Sequence, residues 1–141
     1  MQRRLVLIRH ANTDEGSPDI GQQLTERGRD DAAGIGRRLA ENDVVPDLVI
    51  VSPARRARQT WELASAELPT HPEVRVDDRI YANTVDDVLE AIRDTDDDVA
   101  TLAVVGHNPS LGQLSGAASF PTSAIGSFDV AVSWSLLRHL E

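Results

Sequence analysis

The chain has 141 residues, a net charge of −9 at pH 7 and no cysteine, and all of its 14 basic residues are arginine. This length fits one domain, covering residues 1–141, with room for a full hydrophobic core. The negative charge disfavours nucleic acid as a partner, and the missing cysteine excludes disulfides and thiolate metal sites. No apolar run is long enough to span a membrane and the start lacks a signal-like stretch, so the sequence predicts a cytoplasmic protein without membrane contact.

The first predicted elements are a strand and a helix. Residues 4–9 form a continuous apolar run, which favours an inner parallel strand covered on both faces. A polar loop follows at 15–23, and Thr25 is then a good N-cap for a helix that extends to about Glu41.

A second strand is predicted at 47–52, and a helix follows it. Ser52 is its expected N-cap, and Pro53 its expected first residue. The helix should bury one stripe of side chains, formed by Ala57, Trp61, Ala64 and Leu68.

The C-terminal half continues the alternation of strands and helices. The predicted elements are a strand at 73–76, a helix at 84–94 capped by Thr84, a strand at 101–106, a short helix within 108–118, and one or two strands within 122–137. Such alternation predicts an α/β fold, a three-layer sandwich with a mostly parallel central sheet and helices on both faces.

Chemically capable side chains follow three of the predicted strands. Arg9 and His10 follow the first strand, Ser52 and a group of arginines the second, and His107 the fourth. The carboxyl ends of parallel strands share one edge of a sheet, which is where sites lie in such folds. His10 and His107 could therefore face one pocket.

Three arginines, Arg55, Arg56 and Arg58, lie at the start of the second helix. A helix N-terminus disfavours cations, so their position makes sense if an anion binds beside them. At about 100° per residue, Arg55 points away from the buried stripe, and Arg56 lies nearest the sheet edge. Arg56 is the predicted anion ligand.

These residue types suit phosphoryl transfer. A neutral imidazole is a competent nucleophile toward phosphorus, and guanidinium groups can hold the equatorial oxygens in a forked geometry. Catalysis then comes from positioning and from stabilising charge on those oxygens. Neighbouring cations also disfavour imidazolium, which keeps His10 available as a nucleophile.

Five segments occur in an order that resembles the histidine phosphatase superfamily, which has the phosphoglycerate-mutase-like fold. They are the Arg-His pair at 9–10, "LTERG" at 24–28, "SPARRARQT" at 52–60, "VGHNP" at 105–109 and the tail "FPTSAIGSF" at 120–128. Small size and that tail make the SixA-like phosphohistidine phosphatases the most similar branch.

The resemblance implies a role for particular residues. The family's nucleophile falls on His10 and its partner arginine on Arg9, while Arg56 and His107 would hold the phosphate. Asn12 stands where neighbours of the nucleophile often line the phosphate pocket. The general acid of mutase-type members aligns only loosely, with Asp78, which is one methylene shorter than their glutamate.

Two departures from the family pattern concern the rim of the site. Ala11 replaces the glycine that many members carry after the histidine. Gln22 and Gln23 stand where SixA-like members often carry an arginine, so positive charge at the rim should be reduced.

A metal or cofactor is not expected. The acidic run at 94–98 lacks the spacing of a calcium loop and is typical of a solvated turn. A zinc site on His10 and His107 is an open alternative, although no two histidines have helical or alternate-strand spacing.

The sequence therefore predicts a metal-independent phosphatase that acts through a covalent phosphohistidine on His10. Its substrate is expected to be phosphohistidine of a protein partner. Two alternatives remain open: a phosphatase of small phosphate monoesters, and a non-catalytic module that binds phosphorylated partners. The oligomeric state is not predicted.

Overall fold

The computed structural model describes residues 2–13 and 19–140. Its elements are β1 (Arg3–Arg9), α1 (Glu26–Glu41), β2 (Leu48–Val51), α2 (Arg55–Ser65), β3 (Glu73–Val76), α3 (Asp78–Ala82), α4 (Val85–Arg93), β4 (Thr101–Gly106), α5 (Ser110–Ser115) and β5 (Ile125–Val130), with 3-10 turns at Asp19–Gly21 and Trp134–Leu136. Within the described residues, no helix combines the length and apolarity needed to cross a membrane.

The strands form one five-stranded sheet in the order β3-β2-β4-β1-β5. Strands β3, β2, β4 and β1 are parallel, and β5 is antiparallel to β1. The predicted α/β fold with a mostly parallel sheet is confirmed, and the single antiparallel strand is at an edge.

Both faces of the sheet are covered, because successive side chains of a strand point to opposite faces. Leu5 and Leu7 of β1 belong to the core shared with α3, α4, α5 and Trp134. Val6 and Ile8 belong to the core shared with α1 and α2. These are the three layers that the continuous apolar run predicted.

The predicted caps of α1 and α4 are confirmed. The Thr25 hydroxyl accepts a hydrogen bond from the Gly28 backbone N–H, and Thr84 accepts one from Asp87. Each bond satisfies a backbone donor that the first turn of a helix leaves without an intrahelical acceptor.

The predicted start of α2 is wrong. The helix begins at Arg55 after Ala54, which makes no side-chain cap, and Pro53 lies outside it. Ser52 lies before the capping position, and its hydroxyl accepts from the Ala54 N–H and lies 2.8 Å from Nε2 of His107.

Two further segments differ from the prediction. Helix α3 was not predicted, because five residues are too few to show a helical period; Asp77 caps it by accepting from the Arg79 N–H. The stretch 122–137 holds one strand, β5, and a 3-10 turn. The predicted loop at 15–23 lies partly outside the described residues, since 14–18 are not among them.

Helices α1 and α2 approach closely at Gly36. A Cβ added at Gly36 would overlap the backbone carbonyl of Ala64, whereas a Cβ at Gly34 would meet nothing within 4 Å. The absence of a side chain at Gly36 therefore sets how α1 packs on α2, and α2 carries Arg56.

We expect Gly36→Ala to lower the free energy of unfolding by about 1–3 kcal/mol, the usual cost of overpacking a rigid contact. The matched control, Gly34→Ala in the same helix, should instead raise it by about 0.5–1 kcal/mol, because alanine is the better helix former. Urea unfolding of the two variants measures both values. Equal effects in the two variants would contradict the close packing at Gly36.

Candidate active site

The parallel register brings three strand ends together at one edge of the sheet. Arg9 of β1 lies opposite Gly106 of β4, and the backbone N–H of His10 donates to the Gly106 carbonyl over 3.0 Å. The N–H of Ser52 donates to the Val105 carbonyl over 3.1 Å. As a result, the rings of His10 and His107 lie with their centroids 5.2 Å apart, although 97 positions separate them in the sequence.

The geometry of His10 defines which of its nitrogens can attack. Its Nδ1 lies 2.8 Å from the backbone carbonyl of Ala11, and only 7% of the residue is exposed. A carbonyl oxygen can only accept, so Nδ1 carries the proton, and the neutral ring then has its lone pair on Nε2. This is the protonation pattern that a nucleophilic imidazole needs.

Helix α2 fixes the backbone next to His10. The N–H of Ala11 donates to the Thr60 hydroxyl over 3.0 Å, and that hydroxyl donates to the Arg56 carbonyl over 2.7 Å. Thr60 is fully buried. This chain of bonds links the segment that carries the histidine to the helix turn that carries the arginine.

Arg9 is a partly buried cation at the end of β1. Its Nη1 donates to the Phe120 carbonyl over 3.1 Å, and its buried Nε has no hydrogen-bond partner within the described part of the chain. Burial lowers the pKa of the Arg9 guanidinium, which nonetheless remains protonated at neutral pH. The Nε–H is therefore a donor that a ligand oxygen can accept from.

Arg56 differs from its two neighbours in its surroundings. It is 6% exposed, and its Nη2 lies 3.3 Å from Nδ1 of His107. Arg55 and Arg58 are exposed, and Nε of Arg58 donates to the Pro53 carbonyl over 2.9 Å. Of the three, Arg56 is therefore the one that lies beside the paired histidine rings.

His107 is buried and contacted from several sides. Its Nε2 lies 2.8 Å from the Ser52 hydroxyl, and its ring meets the edge of the Tyr81 ring at a centroid distance of 6.0 Å. The sequence reasoning did not select Ser52 or Tyr81 for this site. Ser52 stood at an ordinary helix-cap position, and Tyr81 lies on the unpredicted helix α3.

Asn12 is half-buried and is connected to the start of α1. Its Oδ1 accepts from the Thr25 hydroxyl over 2.9 Å, and its backbone carbonyl accepts from the Thr25 N–H over 3.0 Å. These bonds hold the residues after His10 against the N-terminal turn of α1.

Asp78 is exposed in the first turn of α3, the helix that brings Tyr81 to His107. The preceding residue, Asp77, anchors this helix through a 2.8 Å ion pair with Arg79. Hydrogen bonding from Arg79 lowers the pKa of the Asp77 carboxyl, although partial burial opposes the shift. The carboxylate of Asp77 therefore stabilises the start of α3.

Within residues 2–13 and 19–140, no group of three or more histidine, aspartate or glutamate side chains is arranged to hold a metal ion. The aspartates of the acidic run lie in a turn, where Asp94 pairs with Arg79 and Asp97 with Arg3. Asp94 and Asp97 thus contribute to ion pairs with arginines.

Comparison with known proteins identifies the family. The pattern of the histidine phosphatase superfamily (branch 1) matches residues 5–81, a range that includes His10 and Arg56. An uncharacterized protein of Mycobacterium tuberculosis is 33% identical over 145 residues, which cover 90% of this chain and 89% of the relative. The chain belongs to the histidine phosphatase superfamily.

Solved structures of other histidine phosphatases place the chain in the SixA-like branch. A protein of Agrobacterium tumefaciens assigned as phosphohistidine phosphatase SixA superposes with a TM-score of 0.80 at 27% identity, covering 90% of this chain and 91% of its own. The protein histidine phosphatase SixA complexed with tungstate also gives a TM-score of 0.80 at 27% identity, covering 88% and 86%. The family and these neighbours support phosphatase activity.

We expect Arg56→Ala to weaken the binding of tungstate or inorganic phosphate by more than about tenfold, because a buried guanidinium makes strong, charge-assisted bonds to such oxyanions. Arg55→Ala, an exposed arginine on the same helix turn, should change the affinity by less than about twofold. Isothermal titration calorimetry measures both. Equal losses would mean that general positive charge, and not the position of Arg56, attracts the anion.

Proposed function

We propose that the protein is a phosphatase that works through a covalent phosphohistidine on His10 and removes phosphate from phosphohistidine of a protein partner. The observation that carries this proposal is the 2.8 Å contact between Nδ1 of His10 and the Ala11 carbonyl. It places the proton on Nδ1, so that Nε2 carries the lone pair of the neutral ring, and this is the lone pair that attacks phosphorus. A module that only binds phosphate would have no use for a nucleophile in this protonation state.

In the first step, Nε2 of His10 attacks the phosphorus atom in line with the leaving group. The partner's phosphoimidazole enters protonated on its second ring nitrogen. The new N–P bond forms as the P–N bond to that ring breaks, and the ring departs as neutral imidazole. Arg9, Arg56 and His107 hold the phosphoryl oxygens and stabilise their charge. In the second step, water attacks the same phosphorus, which releases inorganic phosphate and restores His10.

The leaving group is the basis for proposing a phosphohistidine substrate. A phosphoimidazole ring that is protonated on its second nitrogen leaves as neutral imidazole, so phosphohistidine needs less general-acid assistance than a phosphate ester, which must release an alkoxide. The carboxylate offered for that task, Asp78, is exposed and has an ordinary position in the first turn of α3. The likeness to a protein histidine phosphatase supports the same substrate class.

A phosphatase of small phosphate monoesters is the second candidate. Its support is the position of α3, which contacts the site through Tyr81 and carries Asp78 one turn earlier. If Asp78 reaches a leaving oxygen, it would supply the proton that an alcohol requires.

We expect wild-type protein to release phosphate from a phosphohistidine peptide faster than from an aryl phosphate, with a metal chelator present. His10→Ala should abolish both activities, because no other imidazole has this position beside Arg56 and His107. His71→Ala, which removes an exposed histidine, should leave both rates unchanged. Activity that survives in His10→Ala, or that the chelator abolishes, would contradict the proposed chemistry.

The substitution Asp78→Asn separates the two substrate classes. We expect it to lower turnover of an alkyl phosphate by at least about tenfold if Asp78 is the general acid, and to change phosphohistidine turnover by less than about threefold. Steady-state rates on both substrates measure the ratio. Equal losses on the two substrates would refute the argument that phosphohistidine needs little acid assistance.

A further inference from the structure

Ser52 is a fully buried serine that the helix start does not use as a cap. Its hydroxyl oxygen lies 2.8 Å from Nε2 of His107 and accepts a 3.2 Å hydrogen bond from the Ala54 N–H. Its position at the end of β2 therefore places its hydroxyl against the ring of His107, the second histidine of the site.

Two contacts of the ring nitrogens of His107 determine where its proton lies. Nδ1 is 3.3 Å from Nη2 of Arg56, and an arginine guanidinium has donors only. Nδ1 must therefore accept, so in the neutral ring it carries no proton. The proton is then on Nε2, which donates to the Ser52 hydroxyl oxygen.

The Ser52 oxygen can take this role because a hydroxyl has two acceptor sites. One accepts from the Ala54 N–H and the other from Nε2 of His107, which leaves the serine's own hydrogen for a third partner. If Ser52 were absent, the Nε2 proton would be buried without its acceptor, since His107 is 4% exposed. Loss of this acceptor would favour the other tautomer of His107, or a rotated imidazole ring.

We propose that Ser52 is a positioning residue that acts through His107: it holds the proton on Nε2, so that the Nδ1 lone pair faces Arg56 and the phosphoryl site. This extends the proposed function and rests on it for its catalytic consequence. The pairing itself is a property of the ligand-free protein and can be measured without substrate.

The consequence is a defined path for one proton. Near neutral pH, a fraction of phosphoryl groups carries a proton on one oxygen. When such a monoanion binds, Nη2 of Arg56 moves its hydrogen bond from Nδ1 to a phosphoryl oxygen. The phosphoryl O–H bond then breaks as an N–H bond forms at Nδ1, which leaves a phosphoryl dianion beside an imidazolium. Ser52 still accepts from Nε2–H, and Nδ1–H donates to the phosphoryl oxygen. Among the residues that the structure describes, His10, Arg56 and Tyr81 also face this ring.

The direct test is long-range ¹H–¹⁵N correlation spectroscopy on ligand-free protein labelled with ¹⁵N-histidine. Each of the four histidines gives a pattern that distinguishes the two tautomers, and the exposed His71 and His139 are assigned by substitution with glutamine. We expect His107 in the wild type to be in the Nε2–H form, and Ser52→Ala to lose that form as the dominant species.

The matched control is Ser110→Ala. Ser110 is also fully buried and also bonds to His107, but its hydroxyl donates to the backbone carbonyl over 3.1 Å and not to the ring. This variant also removes a buried hydroxyl that bonds to His107, but His107 should retain the Nε2–H tautomer in it. An Nδ1–H form in the wild type, or the same tautomer in Ser52→Ala as in the wild type, would overturn the proposal.

Kinetics test the catalytic consequence. Ser52→Ala should lower kcat on a phosphohistidine peptide by about tenfold or more, the effect of losing a hydrogen bond to a charged group, with KM changed less than about threefold. Unchanged kcat with the tautomer lost would refute the catalytic role. Absence of turnover in the wild type would instead refute the proposed phosphatase, while the spectra would still decide the Ser52–His107 pairing.

Discussion

The parallel pairing of β4 with β1 and with β2 is the constraint on which the site depends. Because the strands run in the same direction and in matched register, the residues after Arg9, Val51 and Gly106 emerge at one edge. No local sequence signal could place His10 beside His107. The hydrogen-bonded pairing of β4 with β1 and β2 brings these residues together. The apolar cores on both faces stabilise the sheet that these strands form.

The cost of this site is the burial of positive charge. Arg9 and Arg56 are removed from water in part or almost fully. Burying a charged group costs free energy unless the group forms hydrogen bonds or ion pairs. The Phe120 carbonyl and the His107 imidazole supply neutral acceptors for them. The N-terminus of α2, the helix that carries Arg56, also favours an anion in this region.

The sequence was most informative where a residue's role follows from a strand end or a helix period. Continuous apolar strands predicted the layers, and the order of the elements predicted a shared edge. The helix period set Arg56 and Arg58 apart from Arg55, and nearness to the sheet edge favoured Arg56 over Arg58. Ser52 was misassigned, because a serine before a proline has the same local signature whether it caps a helix or faces a distant histidine. Helix α3 was missed because five residues are too few to show a helical period, and Tyr81 was missed because only the tertiary fold brings it to His107.

The measurement that tests the central claim most directly is the trapping of the covalent intermediate. Wild-type protein is mixed with a phosphohistidine peptide, quenched in alkali to preserve the acid-labile N–P bond, digested, and mapped by mass spectrometry. The account predicts a phosphoryl group on His10 that forms at least as fast as inorganic phosphate is released. Turnover without a phosphorylated His10, or a phosphoryl group on another residue, would contradict it.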